Sequence, residues 1–194
     1  LLAGGDQAEL ARGAGLLVDR ARLRDEPEAQ AAGRLGEGTF ALAAGQLEAA
    51  ELALRAALEG FRAVGSALGE ALALERLGAL LTVLGHLEEA RSVLGEAVVV
   101  AERSSLRRHA LTRIHAAEVR HRLASGLTAA AEDALLEASE TAARHGDCLA
   151  CDAAFRPEAV RVALARGRIP DADLEVLALE EIARQRGGQH LEIG

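Results

Sequence analysis

Lysine, tryptophan and tyrosine are all missing from this 194-residue chain, and every basic residue is arginine. Without lysine there is no phosphate-binding P-loop, whose glycines must be followed by one, and no Schiff-base chemistry. Aromatic residues make up 2% of the chain, as Phe40, Phe61 and Phe155. Core volume must come from leucine and valine, with alanine at close contacts. Alanine and leucine favour helices, and the aromatic and β-branched residues that suit a pleated sheet are scarce. Prolines stand only at 27, 157 and 170, so the fold class expected is all-α. Two cysteines make no disulfide framework. No apolar run nears the roughly 20 residues of a membrane span, and the N-terminus lacks the basic flank and apolar core of a signal peptide. A cytoplasmic protein is expected. The formal charge of −8 opposes broad nucleic-acid binding, which requires neutralising phosphates.

What the chain does have is a repeat. Gly5, Gly45, Gly85, Gly126 and Gly167 follow one another at 40, 40, 41 and 41 residues. Five residues after them stand Leu10, Ala50, Ala90, Ala131 and Ala172. Nine after come Ala14, Leu54, Leu94, Leu135 and Val176, and twelve after come Leu17, Ala57, Ala97, Ala138 and Leu179. Offsets of four and three place these columns on one helical face. Each glycine closes one apolar-periodic segment and opens another, as a left-handed residue after a helix does. The pattern predicts a helix over 6–23, then helix pairs 28–43 with 47–62, 67–83 with 87–103, 107–124 with 128–144, and 156–165 with 171–185. One such pair cannot bury its apolar face alone and must stack on its neighbours. One continuous right-handed superhelix over 1–194 is expected, not two domains, with ends that invite self-association. The chain opens without Met inside a repeat, which suggests a piece of a longer protein.

Leu77-Gly78-x-x-Leu81 followed by Ala90-x-x-x-Leu94 resembles the tetratricopeptide signature, with leucine at its aromatic positions. The resemblance runs over nearly the whole chain. It departs from the family in its longer period and in Val119 and Val160, which stand where Gly78 does. Repeats of this length resemble the sensor arrays of large bacterial ATP-binding regulators of the LuxR type, and the stretch from His145 to Cys151 with Pro157–Val160 and Ala165–Arg168 is similar to the ends of such arrays. The resemblance implies a right-handed solenoid of antiparallel helix pairs, about four complete repeats and a partial first one. It also implies a binding module for a protein, a peptide or a small effector.

In that family the first helix of each pair lines a concave groove. By register the groove here receives Ala32, Leu35, Thr39 and Leu42, then Leu72, Glu75, Ala79 and Thr82. Arg113, Ala116, Arg120 and Leu123 follow, and then Ala154, Arg161 and Leu164. Arg113, Arg120 and Arg161 could grip a carboxylate, since a guanidinium binds one bidentately. Equally, they could be solvated or paired at helical spacing, as Glu118 with Arg122. Segment 103–122 holds six Arg against one Glu, with His109, His115 and His121. It could complement the acidic helices Glu88–Glu96 or Glu132–Glu140. Nucleic-acid contact there lacks aromatic side chains for stacking.

His145-x-x-Cys148-x-x-Cys151 is the second feature. Two thiolates and an imidazole at this spacing suit tetrahedral zinc, and His109, on the preceding inter-repeat loop, could complete a Cys2His2 set. A reversible disulfide and inert packing are the other two readings, and spacing leaves all three open. Pro157 places the cysteines in a loop, because proline interrupts a helix. Catalysis finds little footing. Gly36-x-Gly38-x-x-Ala41 matches a dinucleotide fingerprint but no strand precedes it, and no serine sits in a nucleophile elbow. The sequence thus predicts a binding scaffold and not an enzyme, with a metal- or thiol-responsive module as the alternative and zinc as its cofactor.

Overall fold

The computed structural model describes the backbone of residues 4–145 and 148–191, and side chains at 9, 11–141, 148, 151 and 153–184. All regular structure in that range is helical: α1 (Gly4–Leu23), α2 (Pro27–Ala43), α3 (Leu47–Val64), α4 (Ala67–Val83), α5 (Leu87–Ala101), α6 (Arg107–Ala124), α7 (Thr128–His145), α8 (Leu149–Ala165) and α9 (Ile169–Leu191). Among the described residues no helix is long and apolar enough to cross a membrane. The chain forms two compact units, residues 1–107 and 108–194.

Six of the turns share one local geometry. Asp25, Gly45, Gly65, Gly85, Gly126 and Gly167 all have positive φ, 55° for the aspartate and 70–78° for the glycines. The next amide in each case reaches back to the carbonyl five residues earlier: Glu26 to Ala21, Gln46 to Ala41, Ser66 to Phe61, His86 to Leu81, Leu127 to Arg122 and Arg168 to Ala163, at 2.8–3.0 Å. This is the Schellman arrangement, which satisfies carbonyls that a helix end would leave bare. Glycine prevails because a Cβ in this conformation collides with the backbone, and aspartate is among the few residues that tolerate it. The turns expected at Gly45, Gly85, Gly126 and Gly167 are therefore present. Gly5 is different and lies in the first turn of α1.

In unit 1, α2 packs on α1 and α3, α4 packs on α3 and α5, and α2 also touches α4. The predicted columns form its core: Ala50, Leu54 and Ala57 of α3, and Ala90, Leu94 and Ala97 of α5, are all at most 1% exposed. Each buried leucine contributes about 1.5–3 kcal/mol. A cradle in the preceding helix makes this possible. A Cβ on Gly38 would stand 2.6 Å from Leu54 Cγ, and one on Gly78 would stand 2.6 Å from Leu94 Cγ. The Gly36/Gly38 pair is thus a packing device within α2, with Gly36 set against Ala14 Cβ of α1.

Unit 2 repeats the idea with one change. Val119 of α6, Ala131 and Ala134 of α7 and Val162 of α8 form a buried cluster, with Leu123 and Leu135 packed against it. Val119, fully buried, fills the place that glycine holds in α2 and α4, and Leu135 in the register of Leu54 and Leu94 is left only half-buried. The columns fade in α1 and α9, which pack against α2 and α8: Leu17 and Val176 are each 42% exposed. Leu10 lies outside the described side chains.

Pro157 is a correction to the sequence reading. It lies inside α8, so the helix begins at Leu149 and takes in Cys151, while Cys148 stays outside it as the extended residue just before its first turn. Lacking an N–H, Pro157 cannot bond the Ala153 carbonyl. Burial of Cys151 before the proline and of Glu158, Ala159, Val162 and Ala163 after it holds both halves of the helix in place.

Candidate functional site

α6 and α8 lie side by side in unit 2 and touch at two levels. His109 and Arg120 are eleven residues apart, three helical turns, and share a face of α6. Cys151 and Glu158, seven apart, share a face of α8. His109 meets Cys151, and Arg120 meets Glu158. N-terminal residues meet N-terminal residues, so the two helices run in the same direction.

At the lower level, His109 Nδ1 lies 3.0 Å from Cys151 Sγ and 3.5 Å from Cys148 Sγ. The three ligand atoms all lie within 4.8 Å of one another. Cys148 caps the N-terminus of α8 in an extended conformation and Cys151 sits in its first turn, so three residues of helix bring both sulfurs to one end. Cys151 is buried, Cys148 and His109 are half-buried, and both cysteines are thiols. Arg108 Nε makes a long 3.4 Å contact to His109 Nε2. As donor it leaves the ring proton on Nδ1, facing the sulfurs. Of the four residues expected here, the structure assembles three, and the side chain of His145 lies outside the described ones. A second group on α6 and α7 comprises His115, Glu118 and Glu137, with His115 Nδ1 2.9 Å from Glu118 and 3.9 Å from Glu137.

At the upper level the expected arginine grip is turned inward. Arg120 donates to Glu158 Oε1 through Nε (3.2 Å) and Nη2 (2.8 Å), and Arg161 Nη1 donates to the same oxygen at 2.6 Å. Glu158 is 1% exposed. A carboxylate taken from water this completely requires charged hydrogen bonds, and these two arginines supply them. Arg113, half-buried, also has an interaction partner. Glu118 pairs with His115 and not with Arg122, whose Nη1 donates to the Ala130 carbonyl at 2.8 Å. Between the basic segment and the acidic α7, His115 Nδ1 stands 3.9 Å from Glu137.

The polar groove positions of unit 1 are likewise engaged. Thr39 donates to the Leu35 carbonyl at 2.7 Å and Thr82 to the Gly78 carbonyl at 2.8 Å, each bonding back one turn along its helix. Glu75 is buried and lies 3.2 Å from Arg76. The apolar positions fare otherwise. Ala32, Leu35 and Leu72 line an open cleft of about 800 Å³ between α2 and α4, floored by Phe61 and Gly69 and rimmed by Glu26, Glu28 and Ser66. A Cβ on Gly69 would stand 2.1 Å from the Phe61 ring, so this glycine seats the aromatic floor. A second cleft of about 780 Å³, with Phe40, Ala44, Leu52 and Ala56 among its walls, opens over the opposite face of α2. Sequence reasoning missed the carboxylate at 158. Its signal was its place in α8, one 41-residue period less three residues beyond Arg120.

Outer surfaces are laced by arginine–glutamate pairs. Arg55 reaches Glu89 and Arg62 reaches Glu96, both 34 residues on. Arg166 and Arg168 converge on Glu132. The hydrogen bond from Arg166, aided by Arg168, holds the Glu132 carboxyl below its ordinary pKa. Exposed pairs of this kind contribute little to stability, because water and salt screen them.

Comparison of the chain with protein-family models gives no match, and comparison with curated proteins gives none either.

Proposed function

We propose that the chain is a binding scaffold built from tetratricopeptide-like helix pairs in a right-handed solenoid, and that its docking surface is the cleft between α2 and α4. The observation that carries this reading is the open apolar wall of Ala32, Leu35 and Leu72 over Phe61, with carboxylates of Glu26 and Glu28 at the rim. Concave apolar clefts with a few polar groups at the edge are where ligands bind. An apolar helix face with flanking arginine or lysine fits this chemistry. The basic end of the groove is not part of the proposal, because Arg120 and Arg161 hold Glu158. In the wider setting suggested by the sequence resemblance, the scaffold would be the sensor or interaction domain of a larger regulator. It carries out no catalysis in this reading.

The test uses fluorescence anisotropy with a panel of labelled amphipathic helical peptides, each with an apolar face and arginine flanks. Peptides that bind the unaltered chain should lose at least about tenfold in affinity, some 1.4 kcal/mol, on Leu72→Glu. Leu52→Glu, in the other cleft, should leave binding unchanged, and both variants should keep the helical circular dichroism signal. Binding that survives Leu72→Glu, or a panel in which nothing binds, would sink the assignment. The alternative, a metal- or thiol-responsive module, draws on a separate observation, the meeting of His109 with Cys148 and Cys151.

A further inference from the structure

We propose that His109, Cys148 and Cys151 are three ligands of a zinc(II) site that ties the first turn of α6 to the start of α8. This goes beyond the cleft reading and does not depend on it. Thiolate and imidazole are the donors that Zn²⁺ takes in structural and regulatory sites. With Zn–N near 2.05 Å and Zn–S near 2.3 Å, a tetrahedral ion separates N from S by about 3.5 Å. His109 Nδ1 stands 3.5 Å from Cys148 Sγ and 3.0 Å from Cys151 Sγ. Half an ångström of opening at Cys151 is the whole adjustment on the nitrogen side.

The scaffold fixes this geometry from both helices. Cys148 and Cys151 are fixed by the start of α8, where unpaired backbone N–H groups favour negative sulfur. The partner helix is pinned by the Arg120–Glu158 pair above and by Val119 against Val162 in the shared core. Burial of Cys151 shields the ion, and partial exposure of Cys148 leaves a way in. The His115, Glu118 and Glu137 group lacks these properties: it has no sulfur, and Glu137 is largely exposed.

Loading is a ligand exchange in which no atom is oxidised. Zn²⁺ forms bonds to two sulfurs and to Nδ1. The two S–H protons go to solvent, the Nδ1 proton is replaced by one on Nε2, and the long Arg108 contact to that nitrogen opens. Because the folded unit assembles ligands from positions 109, 148 and 151, bound zinc must also stabilise it.

The full chain, reduced and purified without chelator, is analysed for metal after zinc addition and dialysis, and by cobalt(II) substitution. One zinc per chain is expected, with sulfur-to-cobalt charge-transfer bands and the intense visible bands of a tetrahedral ion. Thermal unfolding should shift upward with zinc and return on adding chelator. Cys148→Ser and His109→Ala should lose the zinc and the shift while keeping their helical signal. The proposal is overturned by a reduced chain that takes up no zinc, by cobalt spectra without sulfur charge transfer, or by zinc retained in Cys148→Ser. The cobalt spectrum of the unaltered chain decides even where a variant fails to fold. Formation of a Cys148–Cys151 disulfide in air, with no metal uptake by the reduced protein, also contradicts it and makes the pair a redox couple.

Discussion

A single methyl group decides how far two helices approach in this chain. Gly38 and Gly78 each leave a hollow that a leucine of the next helix fills, Leu54 and Leu94. Where Val119 replaces the glycine, the leucine in register, Leu135, is half-buried and the valine takes the core position. The two solutions are mutually exclusive. Gly78→Val should therefore overpack unit 1 and cost about 1–3 kcal/mol in chemical denaturation. In a Leu94→Ala background the same change should cost less, because truncation opens the hollow; equal costs in both backgrounds would show that the contact does not set the packing. The inward arginines carry a related lesson. Their spacing suggested a grip on a partner's carboxylate, and the chemistry is of that kind, but the carboxylate is Glu158 of the same chain. Sequence spacing shows which residues share a helix face. It does not show which face a helix one period away turns toward it.

At the scale of the element, the helices and their ends were readable because their causes are local. The 3.6-residue period and the left-handed glycines act within a few residues, and the expected pairs differ from the observed helices mainly at their ends. Asp25 and Gly65 were not singled out as turn residues, although they stand one 20-residue step from Gly45 and make the same backbone bonds. A 40-residue search sees only every second turn. α8 was misread because proline was given its local meaning, whereas burial on both sides of Pro157 keeps the helix continuous. That misreading hid the most consequential fact about the cysteines, their fixed place at a helix start. The shared turn makes a paired prediction. Gly85→Ala places a Cβ in the left-handed region with nothing near it to clash, so it should cost roughly 1–2 kcal/mol from backbone strain alone. Asp25→Gly should relieve part of such strain and raise the midpoint of thermal unfolding. An alanine at 85 that left stability unchanged would mean that the turn conformation is not what ends α4.

At the scale of the molecule, the proposed solenoid requires a 40-residue unit of two helices and their turns as its element of construction. Gly38 and Gly78 make the hollows that Leu54 and Leu94 fill, and Val119 takes the glycine's place in unit 2. Of the apolar groove positions, Ala32, Leu35 and Leu72 line the cleft over Phe61. The polar ones were legible only as residue types, since Thr39 and Thr82 spend their hydroxyls on their own helices. In the proposed solenoid, stability is a sum of units and of the contacts between neighbours, and this has a consequence that no ordinary globular fold shares. Excision of residues 46–85, joining Gly45 directly to His86, removes α3 and α4 and returns the chain to register. Gly38 then faces Leu94 as it now faces Leu54, and the turn at Gly45 is followed by α5. Circular dichroism with urea denaturation is the decisive measurement. The shortened chain should keep its helicity per residue and unfold cooperatively, with a smaller denaturant slope in keeping with the surface it has lost. A shortened chain with little helix, or with no cooperative transition, would contradict the repeat on which the account rests.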